Sequence, residues 1–271
     1  MKKLFITVLA LASITLLAAC GSQEKAGDSA DKTIKVASQT SPMTDVVKLA
    51  GEVAKKDGWT IELVTVADNI QYNELLKNKE VDANFAQHQP FMEKFNQEKD
   101  ANLTVISKIY NAKVGFYSKD YQDVNDIPDG STVALPNDVS NEGRALAILA
   151  EEGLITLKEG VGAEGTIKDV TENPHDLQWL SVDLLNLAEA YSEPNVALVY
   201  NYPTYIAKIG LKPSDALFLE KTIDDRFAIS LVAREDNQDS EKIKELKKVM
   251  TSDEVRDYLE TEHGDTLLPA F

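Results

Sequence analysis

The chain has 271 residues, of which 43% are hydrophobic, and its formal net charge at pH 7 is −17. This acidity argues against a nucleic-acid partner, because phosphates require a basic surface, and against a body that lies on an anionic membrane. The single cysteine, Cys20, excludes an internal disulfide and any metal site built from several cysteines.

The N-terminal segment has the order of a signal peptide. Two lysines precede an uncharged apolar run of 16 residues, which ends in small side chains before Cys20. The run is short for a helix that crosses about 30 Å of hydrocarbon. We therefore predict a signal peptide at 1–19 and a flexible, polar tether at 20–32.

The tetrapeptide LAAC, which ends at Cys20, resembles a bacterial lipobox. That resemblance implies a diacylglycerol on the Cys20 thiol and cleavage before it, and palmitate labelling would report such acylation. Two or more acyl chains hold a protein stably at a membrane. The alternative is an ordinary signal peptide that happens to end near a cysteine.

Short apolar strands then alternate with amphipathic helices. A strand at 33–38, a helix that begins at Ser41 as N-cap and ends at Gly58, and a strand at 60–66 form a βαβ unit. The alternation continues to two Lys- and Glu-rich helices after residue 239. It predicts an α/β chain with mostly parallel sheets.

The sequence contains few features of an enzyme. The glycines at 160–165 fit GxGxxG, but a strand-like TIKDV follows them where a dinucleotide site needs a helix, so we interpret them as a turn. The three histidines, His88, His175 and His263, lie far apart without paired ligand spacing. We predict no catalytic residue, no cofactor and no metal.

The stretch VDANFAQHQPF, residues 81–91, is the first candidate ligand segment. It brings aromatic, amide and imidazole side chains to a strand end, where α/β sheets bind ligands. The residues concerned are Phe85, Gln87, His88 and Phe91. The alternative is local capping together with core aromatics.

The stretch LPNDVSNEGRALAIL, residues 135–149, is the second candidate ligand segment. Polar residues crowd a helix start, and Arg144 follows Asn141 on the same face. Free N–H groups, amides and an arginine fork suit a carboxylate. The alternative is an N-cap by Ser140 and a surface arginine.

Several blocks resemble the NlpA/MetQ family of methionine-binding lipoproteins of ABC uptake systems. They are the lipobox, DANFAQHQPF, GFYSKDYQDVNDIPDGSTVALPNDVSNEGRAL, TIKDVTENP and ISLVARED, and they cover essentially the whole mature chain. The resemblance implies an α/β, two-lobed periplasmic-binding-protein-like (type II) fold with a hinge and a ligand cleft between the lobes.

The resemblance also implies site residues. Arg144 and Asn141 would hold an amino-acid carboxylate, and His88, Phe85 and Phe91 would line the other wall. Two asparagines expected around the ligand are instead Tyr202 and Ile229. The remaining candidates for ligand contact are Gln87, Tyr72, Asn201, Tyr202 and Tyr205. The ligand therefore stays open between L-methionine, another amino acid and a short peptide.

We expect the first lobe to comprise 33–116 and 225–271 and the second lobe 117–224, with hinge strands near 116–118 and 223–227. The predicted function is binding of an amino acid and its delivery to an ABC permease and ATPase, without chemistry. We expect a monomer on the extracytoplasmic face of the cell membrane, attached only by its N-terminal lipid. An adhesin or sensor on the same fold is the alternative.

Overall fold

The computed structural model of the chain describes residues 31–271. The predicted signal peptide, Cys20 and most of the tether lie outside the described residues. Between 31 and 271, no helix combines the length and the apolar character that a membrane crossing requires.

The described elements alternate along the chain. The strands are β1 (Thr33–Ser38), β2 (Thr60–Thr65), β3 (Ala83–Gln87), β4 (Leu103–Ala112), β5 (Gly115–Tyr117), β6 (Thr132–Pro136), β7 (Thr156–Leu157), β8 (Val170–Glu172), β9 (Gln178–Val182), β10 (Val196–Asn201), β11 (Phe218–Leu219), β12 (Ile229–Arg234) and β13 (Leu267–Pro269). The α-helices are α1 (Met43–Ala54), α2 (Gln71–Lys77), α3 (Gln89–Lys99), α4 (Val139–Glu151), α5 (Pro203–Ile206), α6 (Glu241–Met250) and α7 (Asp253–His263).

The strands form two larger sheets, one in each lobe. The first sheet has the order β13-β4-β12-β3-β1-β2, and the second has the order β11-β5-β10-β6-β9. The chain passes to the second sheet between β4 and β5 and returns between β11 and β12. The predicted lobe boundary at 116/117 falls inside β5, whose residues pair in the second sheet.

The expectation of mostly parallel sheets is wrong, because both sheets are mixed. β1 runs parallel to β2 and β3, and β6 runs parallel to β9 and β10. The strand that follows each crossing runs against its neighbours: β5 is antiparallel to β10, and β12 is antiparallel to β3 and β4. Crossing twice between the lobes therefore places a reversed strand in each sheet.

The first βαβ unit forms as predicted, with one local difference. Helix α1 buries Val46, Val47 and Ala50 in the core of the first lobe. A short 3-10 turn follows it and ends at Gly58, which has a left-handed φ of 74°. Pro42 occupies the N-cap position instead of Ser41. The Ser41 hydroxyl donates to the Asp45 carboxylate at 2.6 Å.

Three local predictions in the second half differ from the structure. Ile167–Asp169, within the strand-like TIKDV, is a short 3-10 helix with a capping box at Thr166. The strand predicted over DALFLEK is only the two residues of β11. The short strands β9 and β13 were not predicted, because each gains its hydrogen bonds only at a sheet edge.

The three helices that position the site each begin directly after a strand. α3 follows β3, α4 follows β6 and α5 follows β10. Since β3 belongs to the first sheet and β6 and β10 to the second, the three helix starts bring both lobes to one cleft.

Candidate functional site

A cavity lies between the lobes and takes side chains from both. Its empty space, counted together with the open solvent at its mouth, is about 480 Å³. The first lobe contributes Met43, Asn69, Tyr72, Ala86, Gln87, His88, Phe91, Tyr110, Ala112 and Ile229, and the second contributes Asn141, Leu184, Tyr202, Thr204 and Tyr205.

Most of the sequence-predicted site residues meet at this cavity. Seven of the ten line it: Tyr72, Gln87, His88, Phe91, Asn141, Tyr202 and Tyr205. The other three, Phe85, Arg144 and Asn201, are buried outside the lining. Contact of these residues with a ligand stays a prediction.

His88 joins the two lobes. It is the N-cap of α3, and its Nδ1 accepts a hydrogen bond from the backbone N–H of Phe91 at 3.2 Å. The proton therefore resides on Nε2, which donates to Oδ1 of Asn141 at 3.1 Å. Burial, with a further contribution from the charge of Arg144, lowers the pKa of His88 to about 3, so the ring is neutral.

Asn141 is oriented by the start of α4. The N-cap is Asp138, which accepts from the Asn141 backbone N–H at 3.0 Å, so the alternative of a Ser140 cap is wrong. The Asn141 side-chain amide donates to both Asp138 carboxylate oxygens at 3.0 Å. Its Oδ1 thus faces the cleft, where it accepts from His88 and from the Tyr202 hydroxyl, the latter at 2.8 Å.

Arg144 is a buried residue, so the alternative of a surface arginine is wrong. Its side chain is 1% exposed, and it forms a bidentate pair with Glu220, with Nε–Oε1 at 2.8 Å and Nη2–Oε2 at 2.6 Å. Nη1 donates to the Tyr202 hydroxyl at 3.0 Å. The guanidinium also lies 4.6 Å from the ring centroid of Phe227.

The lining is uncharged. The residues that border the cavity, all from the described part of the chain, include no Asp, Glu, Lys or Arg. Burial raises the pKa values of Tyr72, Tyr110, Tyr202 and Tyr205, which keeps these phenols protonated at neutral pH. The site therefore offers aromatic surface and neutral hydrogen-bonding groups.

A buried carboxamide network supports the first-lobe wall. Asn73 Nδ2 donates to Gln87 Oε1 at 2.8 Å, Asn84 Nδ2 donates to Asn73 Oδ1 at 2.8 Å, and Gln87 Nε2 donates to Asn84 Oδ1 at 2.9 Å. Asn73 and Asn84 are fully buried. The network fixes the amide of Gln87, which lines the cavity.

Sequence reasoning missed eight of the fifteen lining residues, Tyr110 among them, and two residues behind the lining, Asn73 and Glu220. The link between Asn73, Asn84 and Gln87 could have been predicted, because Asn84 and Gln87 lie at the strand end 84–87 and Asn73 lies on the helix before it. Nothing in the local sequence of Glu220 signals its pairing with Arg144, since 76 residues separate the two. No group of three or more potential metal ligands occurs within 31–271.

Comparisons with known proteins find similarity to lipoproteins. A family model described as NlpA lipoprotein matches residues 34–271. The methionine-binding lipoprotein MetQ of Bacillus subtilis is 36% identical over 272 residues, which is 99% of both chains.

Solved structures share the fold. A YaeC-family lipoprotein of Enterococcus faecalis matches with a TM-score of 0.81 and 48% identity, covering 89% of this chain and 100% of that one. A nutrient-binding protein of Burkholderia cenocepacia bound to methionine matches with a TM-score of 0.83 and 30% identity, covering 88% and 100%. The predicted fold class is confirmed.

Proposed function

The chain belongs to the NlpA lipoprotein family, and on that premise we propose that it is a lipid-anchored substrate-binding protein of an ABC importer. In this proposal it captures L-methionine or a related amino acid between its lobes and delivers it to a permease and ATPase. Relatives that are named for methionine binding, and a similar structure bound to methionine, support this class of ligand.

The observation that carries the proposal is the cavity between the lobes. Residues of both lobes line it, and the hydrogen bond between His88 and Asn141 closes across it. A ligand that touches both walls stabilises the closed arrangement, and a hinge movement of the lobes opens it. Permease recognition of the closed state completes the cycle.

We propose no chemical step on the ligand. His88, the residue best suited to acid–base chemistry, is neutral, and among residues 31–271 its ring bonds to the Asn141 amide and the Phe91 backbone, not to a nucleophile. The predicted ligand contacts also stay proposals: Arg144 lies outside the lining and bonds to the Tyr202 hydroxyl, and the Asn201 side chain accepts from the Tyr202 backbone N–H. Tyr202 and Ile229 both line it, which keeps the identity of the amino acid open.

The anchor is proposed from the sequence. Acylation of Cys20 would place the folded body on the extracytoplasmic face of the membrane, as a monomer held by its lipid and tether. Cys20→Ala should therefore abolish palmitate labelling and leave the protein unprocessed or shed from the membrane. Undiminished labelling of the variant would contradict the anchor, because acylation would then occur elsewhere.

The ligand class is tested by a melting screen against all L-amino acids and several dipeptides, on protein unfolded and refolded to remove bound ligand. A ligand at 100 times its dissociation constant stabilises the native state by about 2.7 kcal/mol, which is a visible thermal shift. A shift with one amino acid or its derivative supports the proposal. The absence of a shift with every compound would contradict it.

A further inference from the structure

Arg144, the cation predicted to bind a ligand carboxylate, is already paired with Glu220. Glu220 takes Nε and Nη2 of Arg144 in a bidentate pair, and its own side chain is only 8% exposed. A buried bidentate pair of this kind is electrically neutral and geometrically complete. Arg144 thus adds no net positive charge to the cleft.

Tyr202 stands between Arg144 and the cavity. Tyr202 lines the cavity, whereas Arg144 does not, and the Tyr202 hydroxyl accepts from Arg144 Nη1 at 3.0 Å. The same hydroxyl donates to Asn141 Oδ1 at 2.8 Å. A ligand therefore meets a neutral phenol whose oxygen is polarised by the arginine behind it.

A ligand carboxylate would lack a charge partner at this wall. Among the described residues, the lining carries no basic side chain and His88 is neutral, and the Asp138 carboxylate that holds the Asn141 amide adds negative charge behind this wall. An ionised group that leaves water without a partner is strongly disfavoured. A carbonyl oxygen of an amide or ester needs only the hydroxyl or an amide as donor.

We infer that Tyr202 and Glu220 withhold Arg144 from the ligand, so that the cleft selects amino-acid derivatives whose carboxyl group is neutralised in an amide, ester or peptide bond. This inference rests on the proposed function and specifies its ligand class. Tyr202 is the specificity-determining residue, and Glu220 is a positioning residue that acts through Arg144.

The test compares matched probes by calorimetry on ligand-free protein. N-acetyl-L-methionine and N-acetyl-L-methioninamide differ only at the carboxyl group, as do N-acetyl-L-leucine and N-acetyl-L-leucinamide. Acetylation removes the ammonium group, so that the acid carries one negative charge and the amide none, and L-methionylglycine shows whether the chain can continue beyond the amide. The wild type should bind the amides at least about 10-fold more tightly than the acids, a modest ratio for a buried unpaired charge.

Two variants distinguish the steric role of Tyr202, which covers Arg144, from the neutralisation of the Arg144 charge by Glu220. Tyr202→Asn shortens the side chain and opens Arg144 to the cavity, and Glu220→Gln releases the positive charge while it keeps the shape. Each should shift the acid-to-amide affinity ratio at least about 10-fold toward the acid. Tyr202→Phe is the matched control: it retains the shield, so the preference for the amide should persist although both probes bind more weakly.

Circular dichroism and melting curves establish that each variant is folded. A wild type that binds the acid at least 10-fold more tightly than the amide would overturn the inference and leave the proposed function standing. An unchanged ratio in folded Tyr202→Asn would overturn the shielding role. If no probe and no member of the amino-acid and dipeptide panel binds the wild type, the proposed function itself fails.

Discussion

The two walls of the cavity are held by different chemistry. The first-lobe wall rests on neutral groups, the carboxamides of Asn73 and Asn84 beneath Gln87. The second-lobe wall rests on charge, the buried pair of Arg144 and Glu220. Neither charge of that pair reaches the cavity surface. The difference teaches that a cleft can be neutral to its ligand while one of its walls depends on an ion pair.

Removal of one partner from the charged wall should have the largest effect. Arg144→Ala leaves Glu220 buried without its counter-charge, and such a loss costs about 3–5 kcal/mol of unfolding free energy. Urea unfolding measures it. The double variant Arg144→Met/Glu220→Leu removes both charges and should recover most of the loss. A loss below about 1 kcal/mol in Arg144→Ala would show that the pair is not buried in solution.

Acid should weaken the contact that joins the walls. The pKa of His88 is lowered from 6.5 to about 3 in the folded protein, so the unfolded chain binds the extra proton between these values. The contribution of neutral His88 to the unfolding free energy is fully present above about pH 6.5. It falls as the pH is lowered toward 3, by at most about 1.4 kcal/mol per pH unit.

His88→Asn keeps a capping side chain and removes the titrating group. Unfolding free energy should therefore depend less on pH in this variant than in the wild type between pH 6.5 and pH 4.5, because the other titrating groups are common to the two proteins. Equal slopes for the two proteins would contradict a neutral, buried His88.

Substitutions in the carboxamide network of the first-lobe wall should lower the unfolding free energy by a smaller amount. Asn73→Ala removes one hydrogen-bond partner from the amide of Asn84 and leaves Oε1 of Gln87 without its partner in a buried site, which costs about 1–3 kcal/mol. Asn78→Ala, at the exposed end of the same helix, is the matched control and should change stability by less than about 0.5 kcal/mol. Equal losses in the two variants would mean that the network is not a special support.

Local patterns predicted much of the fold and the approximate place of the site. The segments at 81–91 and 135–149 each end a strand and begin a helix, and the structure brings His88 and Asn141 together from them. Such signals are readable because a strand end, a proline and a capping residue act over a few neighbours.

Long-range features were not readable in the same way. The pairing of Glu220 with Arg144 depends on the return of the chain through the short strand β11, and the reversed strands β5 and β12 depend on the two crossings between lobes. The carboxylate site was therefore inferred from the helix start, its amides and Arg144, and from the family resemblance, without the acid that pairs with Arg144. Only the tertiary structure shows that Tyr202 lies between the Arg144–Glu220 pair and the cavity.

Native mass spectrometry of the purified protein tests the central claim most directly, that the cavity between the lobes binds one small molecule derived from an amino acid. We predict an added mass in the range of an amino-acid amide or dipeptide, at one copy per chain, which disappears after unfolding and refolding and returns with an extract of the growth medium. A protein that carries no small molecule and captures none from that extract would contradict the account.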